Sequence, residues 1–137
     1  MNLLHFTAHA AAALAISLGA MLPASAQRSA SIYQVDVEQS RDMQKRGALL
    51  LDVREPHEFD EVHAPGSVLI PLSQLQERIV EIGDFKRNPI VIICRSGRRS
   101  MQAASVLGKL GFASLYNVQG GMLAWEQAAL PVIRKRR

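Results

Sequence analysis

The chain has 137 residues, a net charge of +4, and 48% apolar against 20% charged residues. This length and composition predict one globular domain with a hydrophobic core, and they exclude a disordered chain, a collagen and a disulfide-stapled scaffold. The last four residues are all Lys or Arg and supply the excess charge, so the charge does not mark a basic surface for nucleic acid. We expect residues 134–137 to form a solvated tail.

The first 26 residues have the pattern of a secretory signal peptide, although no Lys or Arg precedes the apolar stretch at residues 10–22. Ala24, Ser25 and Ala26 follow that stretch and match the small-residue motif of a cleavage site. The predicted mature chain begins at Gln27, carries its domain over residues 27–133, and is periplasmic or secreted. The alternative is a retained membrane anchor, but the stretch is short for a span of about 20 residues. We expect no stable membrane insertion after cleavage.

Apolar patterns in the rest of the chain alternate between strands and helices. The predicted strands cover residues 32–35, 48–51, 68–70, 89–93 and 115–118, and the predicted helices cover residues 36–45, 55–61, 72–82, 100–110 and 122–128. The strand segments at residues 48–51 and 89–93 are continuous apolar runs, which are typical of strands buried on both faces of a parallel sheet. The alternation predicts the α/β class with a mainly parallel central sheet.

The only cysteine, Cys94, follows the most apolar predicted strand and precedes a predicted helix. Ligands of open α/β sheets bind beyond the carboxyl ends of the strands, where a loop can direct backbone N–H groups at an anion. Gly97 gives such a loop its backbone freedom, and Ser100 is a candidate N-cap of the helix. This environment favours a nucleophilic thiolate over a buried apolar cysteine. The predicted site comprises Cys94 as the catalytic residue and Arg95, Ser96, Gly97, Arg98, Arg99 and Ser100 as substrate-binding residues.

The single cysteine also limits the chemistry. It excludes an intramolecular disulfide, a dithiol oxidoreductase and a multi-cysteine zinc site.

Three ordered segments resemble the signatures of single-domain rhodaneses. They are residues 51–67, which include LDVREPHEF and HAPGS, the loop CRSGRRS at residues 94–100, and NVQGGMLAW at residues 117–125. The resemblance implies a three-layer rhodanese-like fold with helices on both faces of the sheet. It also implies a sulfurtransferase that needs no metal or organic cofactor. Cys94 would take sulfane sulfur from thiosulfate as a persulfide and pass it to cyanide or a thiol.

The implied partners are a small anionic sulfur donor and a thiophilic acceptor.

Other polar and aromatic residues are expected to be structural or exposed: Asp52 and Arg54 at a strand end, His57 and His63 on exposed loops, Trp125 in the core, and Glu55, Glu58, Asp60 and Glu61 on a solvated helix face.

Two other functions remain open. A phosphatase or arsenate reductase of similar scaffold places an arginine six residues after its cysteine, whereas this chain has Ser100 there and Arg99 one residue earlier. A persulfide carrier or binding module that serves a partner protein would keep the cysteine and the loop. Turnover of thiosulfate distinguishes that carrier from an enzyme.

Overall fold

The computed structural model describes residues 30–136, so the predicted signal peptide and cleavage site lie outside the described part of the chain. The strands are β1 (Ile32–Val35), β2 (Leu49–Asp52), β3 (Val62–His63), β4 (Val68–Leu69), β5 (Ile90–Ile93), β6 (Leu115–Val118) and β7 (Ile133–Arg134). The α-helices are α1 (Val37–Lys45), α2 (Pro56–Glu61), α3 (Arg98–Lys109) and α4 (Gly121–Gln127). Five strands form a parallel sheet in the order β1, β6, β5, β2 and β4, as the α/β prediction requires.

Helices cover both faces of this sheet and give the predicted three layers. Every residue of β2 and β5 is buried, because alternate side chains of each strand enter different clusters. Leu51 and Ile92 pack in one cluster with residues of α3, while Leu50 and Val91 pack in the other with residues of α1 and α4. Burial on both faces explains why residues 49–51 of β2 and all of β5 are apolar without alternation.

Local signals account for the positions at which two helices begin. Asp36 caps α1, where its carboxylate accepts from the Gln39 N–H at 2.7 Å and the Gln39 side chain accepts from the Asp36 N–H at 3.0 Å. This capping box satisfies two backbone donors that the first helical turn leaves unpaired. Helix α2 begins at Pro56, whose fixed φ suits the first turn.

The predicted helix over residues 72–82 is wrong. This segment forms two 3₁₀ helices, Leu72–Gln74 and Ile79–Phe85. Leu75 and Ile82 are buried, as their spacing predicted. Apolar residues three or four positions apart suit a 3₁₀ turn as well as an α-helix, so the pattern predicts the buried face without fixing the hydrogen bonding.

A second sheet contains only β3 and β7, which pair antiparallel. Arg134 lies in β7 and forms an ion pair with Glu126 at 2.6 Å. Arg134 is exposed, as expected for the tail, but the folded structure extends through it. Across residues 30–136, no helix combines the length and apolar character that a membrane span requires.

Candidate active site

Cys94 lies directly after β5, the middle strand of the sheet, and begins the loop that leads into α3. The residue is only 1% exposed. Gly97 caps α3 with φ 101°, a left-handed conformation that glycine adopts at little cost. The loop therefore curls back over the sulfur within a few residues.

Hydrogen-bond donors converge on the Cys94 sulfur. The Gly97 N–H donates to Sγ at 3.1 Å, and the Ser100 Oγ lies 3.3 Å from the same atom. Burial raises the pKa of the Cys94 thiol, but the Ser100 hydroxyl and the backbone N–H groups of Ser100, Gly97 and Ser96 lower it more, so the net pKa is below the ordinary value. The site thus favours a thiolate without a histidine partner.

Ser100 does not cap the helix, because α3 begins two residues before it. Its hydroxyl is buried instead between Cys94 and Asn117, and it donates to Asn117 Oδ1 at 2.6 Å. Asn117 lies on β6 beside β5 and was not among the predicted site residues. A polar residue inside the predicted strand at residues 115–118, where the third signature segment begins, was the signal that could have identified it.

The first turn of α4 packs against the backbone of the Cys94 loop. The Met122 N–H donates to the Cys94 carbonyl at 2.8 Å, and the Leu123 N–H donates to the Arg95 carbonyl at 3.1 Å. A Cβ on Gly121 would lie 2.3 Å from the Cys94 carbonyl oxygen and 2.6 Å from that of Arg95. Gly121 therefore permits the close approach of α4 to the loop, a role that the sequence motifs did not indicate.

The three loop arginines differ in their surroundings. Arg95 and Arg98 are exposed, and with Ser96, Arg99 and Gln102 they border an open cavity of about 300 Å³. Arg99 donates from both terminal nitrogens to the Glu58 carboxylate, at 2.7 and 2.8 Å. The hydrogen bond from Arg99 lowers the pKa of Glu58 to about 2. Glu58 thus departs from the expected solvated helix face.

A cavity of about 340 Å³ lies at the other end of the sheet, where Ala48 and Pro89 precede β2 and β5. It is slightly larger than the cavity beside the loop, but none of the described residues that line it has a nucleophilic side chain. The convergence of donors on Cys94 is therefore the stronger indication of a site. In the described residues, no three His, Cys, Asp or Glu side chains gather closely enough to hold a metal ion.

The remaining polar and aromatic residues have structural contacts. Arg54 and Asp52 form a buried ion pair at 2.7 Å, and Trp125 is a buried core residue, as expected for both. The expectation that His63 is an exposed loop residue is wrong, because it lies in β3 and stacks on Phe59 with ring centroids 3.8 Å apart.

Comparison with known proteins agrees with this geometry. The chain is 37% identical over 103 residues to the "Putative sulfur carrier protein YrkF" of Bacillus subtilis, covering 74% of this chain and 55% of that protein. It is 35% identical over 92 residues to the thiosulfate sulfurtransferase GlpE of Pseudomonas syringae pv. syringae, covering 67% of this chain and 85% of GlpE. A rhodanese-related protein from Thermoplasma volcanium has a similar crystal structure, with a TM-score of 0.61 and 29% identity over 74% of this chain and 97% of that one. The rhodanese-like domain family matches residues 36–128, and the chain belongs to this family.

Proposed function

We propose that the protein is a thiosulfate sulfurtransferase in which Cys94 carries the transferred sulfur as a persulfide. The observation that carries this proposal is the surroundings of the buried Sγ, which accepts from the Gly97 N–H at 3.1 Å and has the Ser100 Oγ 3.3 Å away. Donors held by a helix N-terminus and a tight loop stabilise a thiolate and the negative charge of a persulfide.

The reaction proceeds in two halves. The Cys94 thiolate attacks the outer sulfur of thiosulfate, the sulfur–sulfur bond of the donor breaks, and sulfite leaves with the bonding electron pair. A nucleophilic acceptor, cyanide or a thiolate, then attacks the outer sulfur of the persulfide and releases the Cys94 thiolate. Each half exchanges one bond to sulfur for another, so the cycle needs no external oxidant or reductant.

Arg95 and Arg98 supply the positive field that draws an anionic donor to the loop. Both are exposed beside the cavity, and neither forms an ion pair with a described residue of the chain. Arg99 contributes less to recruitment, because its guanidinium is already bound to Glu58. Its part is to hold α3 and α2 together at the edge of the site.

Mass spectrometry of the protein after incubation with thiosulfate tests this function. We expect one added sulfur atom, about 32 mass units, on Cys94, and we expect cyanide to remove it as thiocyanate. Cys94→Ser keeps a small polar side chain and serves as the matched control, which should show neither event. Sulfur transfer that survives in Cys94→Ser would assign the nucleophile elsewhere and overturn the proposal.

A persulfide carrier is the second candidate, since a relative with 37% identity is named a putative sulfur carrier protein. An enzyme turns over many thiosulfate molecules with a small acceptor, whereas a carrier loads one sulfur and releases it only to its partner. Steady-state thiocyanate production that exceeds one equivalent per protein by about a hundredfold supports the enzyme. Loading without release to cyanide supports the carrier.

Phosphatase or arsenate reductase activity has less support. The loop donors converge on a single buried sulfur, and the arginine nearest the phosphatase position is tied to Glu58. We expect no turnover of aryl phosphates by a preparation that is active on thiosulfate. Phosphate release that depends on Cys94 would favour the alternative.

We also propose that the protein acts after export, on the strength of the signal-peptide pattern in residues 1–26. The intact mass of the protein purified from a Gram-negative cell tests this proposal. A chain that begins at Gln27 and is released with the periplasmic fraction supports export. A full-length chain in the membrane fraction supports a retained anchor.

A further inference from the structure

A line of hydrogen bonds leads from Cys94 through three side chains to the edge of the sheet. Ser100 Oγ lies 3.3 Å from the sulfur and donates to Asn117 Oδ1 at 2.6 Å. Asn117 Nδ2 donates to Gln34 Oε1 at 2.9 Å, and Gln34 Nε2 donates to the Met101 sulfur at 3.5 Å. Asn117 is only 5% exposed, whereas Gln34 is exposed on the edge strand β1. We call Ser100, Asn117 and Gln34 the relay.

The single proton of the Ser100 hydroxyl sets the direction of the relay. In the observed arrangement this proton goes to Asn117, so the contact with Cys94 is one in which the S–H group donates to Ser100 Oγ. That arrangement suits the neutral thiol. A thiolate has no proton to donate, and it requires the hydroxyl to turn toward the sulfur. Asn117 Oδ1 would then be buried without a donor, which is costly.

A half-turn of the two side-chain amides removes this conflict. Asn117 Nδ2 then donates to Ser100 Oγ, and Asn117 Oδ1 accepts from Gln34 Nε2. The oxygen and nitrogen of an amide occupy nearly equivalent positions, so every bond of the relay reverses with little movement of the backbone. The reversal breaks one interaction outside the relay, the weak hydrogen bond from Gln34 to the Met101 sulfur.

We propose that Asn117 and Gln34 are positioning residues that reverse the relay when the Cys94 sulfur changes between its neutral and anionic forms. This inference deepens the proposed function, because the same reversal presents the Ser100 hydroxyl to the sulfur only when the sulfur carries negative charge. In one direction of the relay, the Ser100 hydroxyl donates to the thiolate. In the other direction, Ser100 Oγ accepts from the neutral thiol.

Charged groups around the sulfur act alongside the relay. Arg95 and Arg98 lie in the loop and at the start of α3, Arg99 on α3 has a charge interaction with Cys94, and Glu58 on α2 binds Arg99. None of them is part of the relay, so substitutions at Gln34 leave all four in place.

The test uses a matched pair of substitutions at Gln34, measured by the rate of Cys94 alkylation with iodoacetamide as a function of pH. Gln34→Glu can only accept, which fixes Asn117 with its oxygen toward Ser100 and directs the hydroxyl away from the sulfur. Gln34→Lys can only donate, which fixes the opposite direction. At a pH below the midpoint of the wild-type profile, we expect Gln34→Glu to react about three- to tenfold more slowly than wild type. We expect Gln34→Lys to react at least as fast as wild type.

The same two Gln34 variants are also made in an Asn117→Leu background. This background distinguishes the effect of the relay from the direct electrostatic effect of the new charges on Cys94. Leucine has the branched shape and the number of side-chain heavy atoms of asparagine, but it has no hydrogen-bonding group and breaks the relay. At about 0.5 M salt, which screens exposed charges, the two variants should then differ by less than about twofold. If Asn117→Leu does not fold, Ser100→Ala breaks the relay at its other end and should abolish the difference equally.

Two results would overturn the proposal. One is a rate unchanged by Gln34→Glu while Asn117 and Ser100 are intact, and the other is a difference between the pair that persists in the broken relay. Alkylation uses no sulfur donor, so a failure here is distinct from a failure of sulfur transfer from thiosulfate. A purely structural Asn117 would change the unfolding midpoint without making the alkylation profile depend on Gln34.

Discussion

The segments that follow the neighbouring strands β2 and β5 begin at the same edge of the sheet, but their polar groups differ in what they bind. Asp52 at the end of β2 is paired in register with Ile93 at the end of β5. After β2, Arg54 binds the Asp52 carboxylate at 2.7 Å and the Val62 carbonyl at 2.8 Å, and both charged side chains are almost completely buried. After β5, a backbone donor points at Cys94, the proposed nucleophile.

The two segments occupy equivalent positions in the sheet but have different roles. The Asp52–Arg54 pair satisfies itself and links β2 to the start of β3, so it is a closed structural unit. The Cys94 loop supplies donors to an atom that gains a second sulfur in the proposed reaction, so its hydrogen bonds would serve more than one state. Substitutions after β2 should therefore change stability, and substitutions after β5 should change chemistry.

The largest expected effect is on the closed unit. Arg54→Met should lower the free energy of unfolding by about 3–5 kcal/mol, because it leaves the buried Asp52 carboxylate without its partner. Urea unfolding measures the loss, and Arg98→Met, which truncates an exposed arginine, is the matched control. If both variants lose similar stability, the distinction between the two segments fails.

The second largest effect is expected at Gly121, which lets α4 pack against the Cys94 loop. Gly121→Ala should lower sulfur transfer by about a hundredfold, because the new methyl group would displace the Cys94 and Arg95 carbonyls and misalign the donors. Gly47→Ala is the control, since Gly47 also has a positive φ but a methyl group added there would meet no atom within 4 Å. Activity should survive in the control. Equal losses in the two variants would attribute the effect to backbone strain alone.

A smaller effect should separate two neighbouring arginines of the loop. Arg98→Ala should raise the KM for thiosulfate by about tenfold, with a smaller change in kcat, because it removes an exposed cation beside the cavity. Arg99→Ala should raise KM by about threefold or less, since that guanidinium is held by Glu58. Steady-state kinetics at low and high salt would check both values. A larger effect from Arg99 would place it in direct contact with the donor.

The smallest expected effect is the pH dependence of the Glu58–Arg99 pair. The pKa of Glu58 falls from 4.5 to about 2 on folding, so its stabilisation is fully present above pH 4.5 and is lost as the pH falls toward 2. Because the pair is partly exposed, we expect Glu58→Gln to cost about 1 kcal/mol at neutral pH. The unfolding curves of the two proteins should converge near pH 2. A constant difference down to pH 2 would mean that the carboxylate charge is not the cause.

The sequence predicted the sheet well because its strands have strong local signals. Continuous apolar segments mark β2 and β5, and the alternation of strands and helices restricts the connections to a parallel sheet. The 3₁₀ helices and the β3–β7 pair were not predictable in this way. The first depends on hydrogen bonding that an apolar pattern does not specify, and the second joins two-residue strands far apart in the chain.

The position of the candidate site was predictable to a similar extent. Cys94 and its loop form one continuous segment, and their location after an apolar strand is a local signal. Asn117, Gln34 and Gly121 come from other parts of the chain and meet Cys94 or its loop only in the folded sheet. The sequence likewise places Arg99 beside Arg98 but cannot show that Glu58, 41 positions earlier, holds it.

The pairing of β7 with β3 gives the carboxyl-terminal residues a practical importance for anyone who handles this protein. Strand β3 directly follows α2, the helix that carries Glu58, and the Lys135 N–H donates to the Glu61 carbonyl at 3.2 Å. A truncation before Ile133, or a bulky purification tag fused close to Arg134, therefore acts on the helix that restrains Arg99. The length of the recombinant chain at this end is a variable of every preparation of this protein and belongs among the controls of any activity measurement.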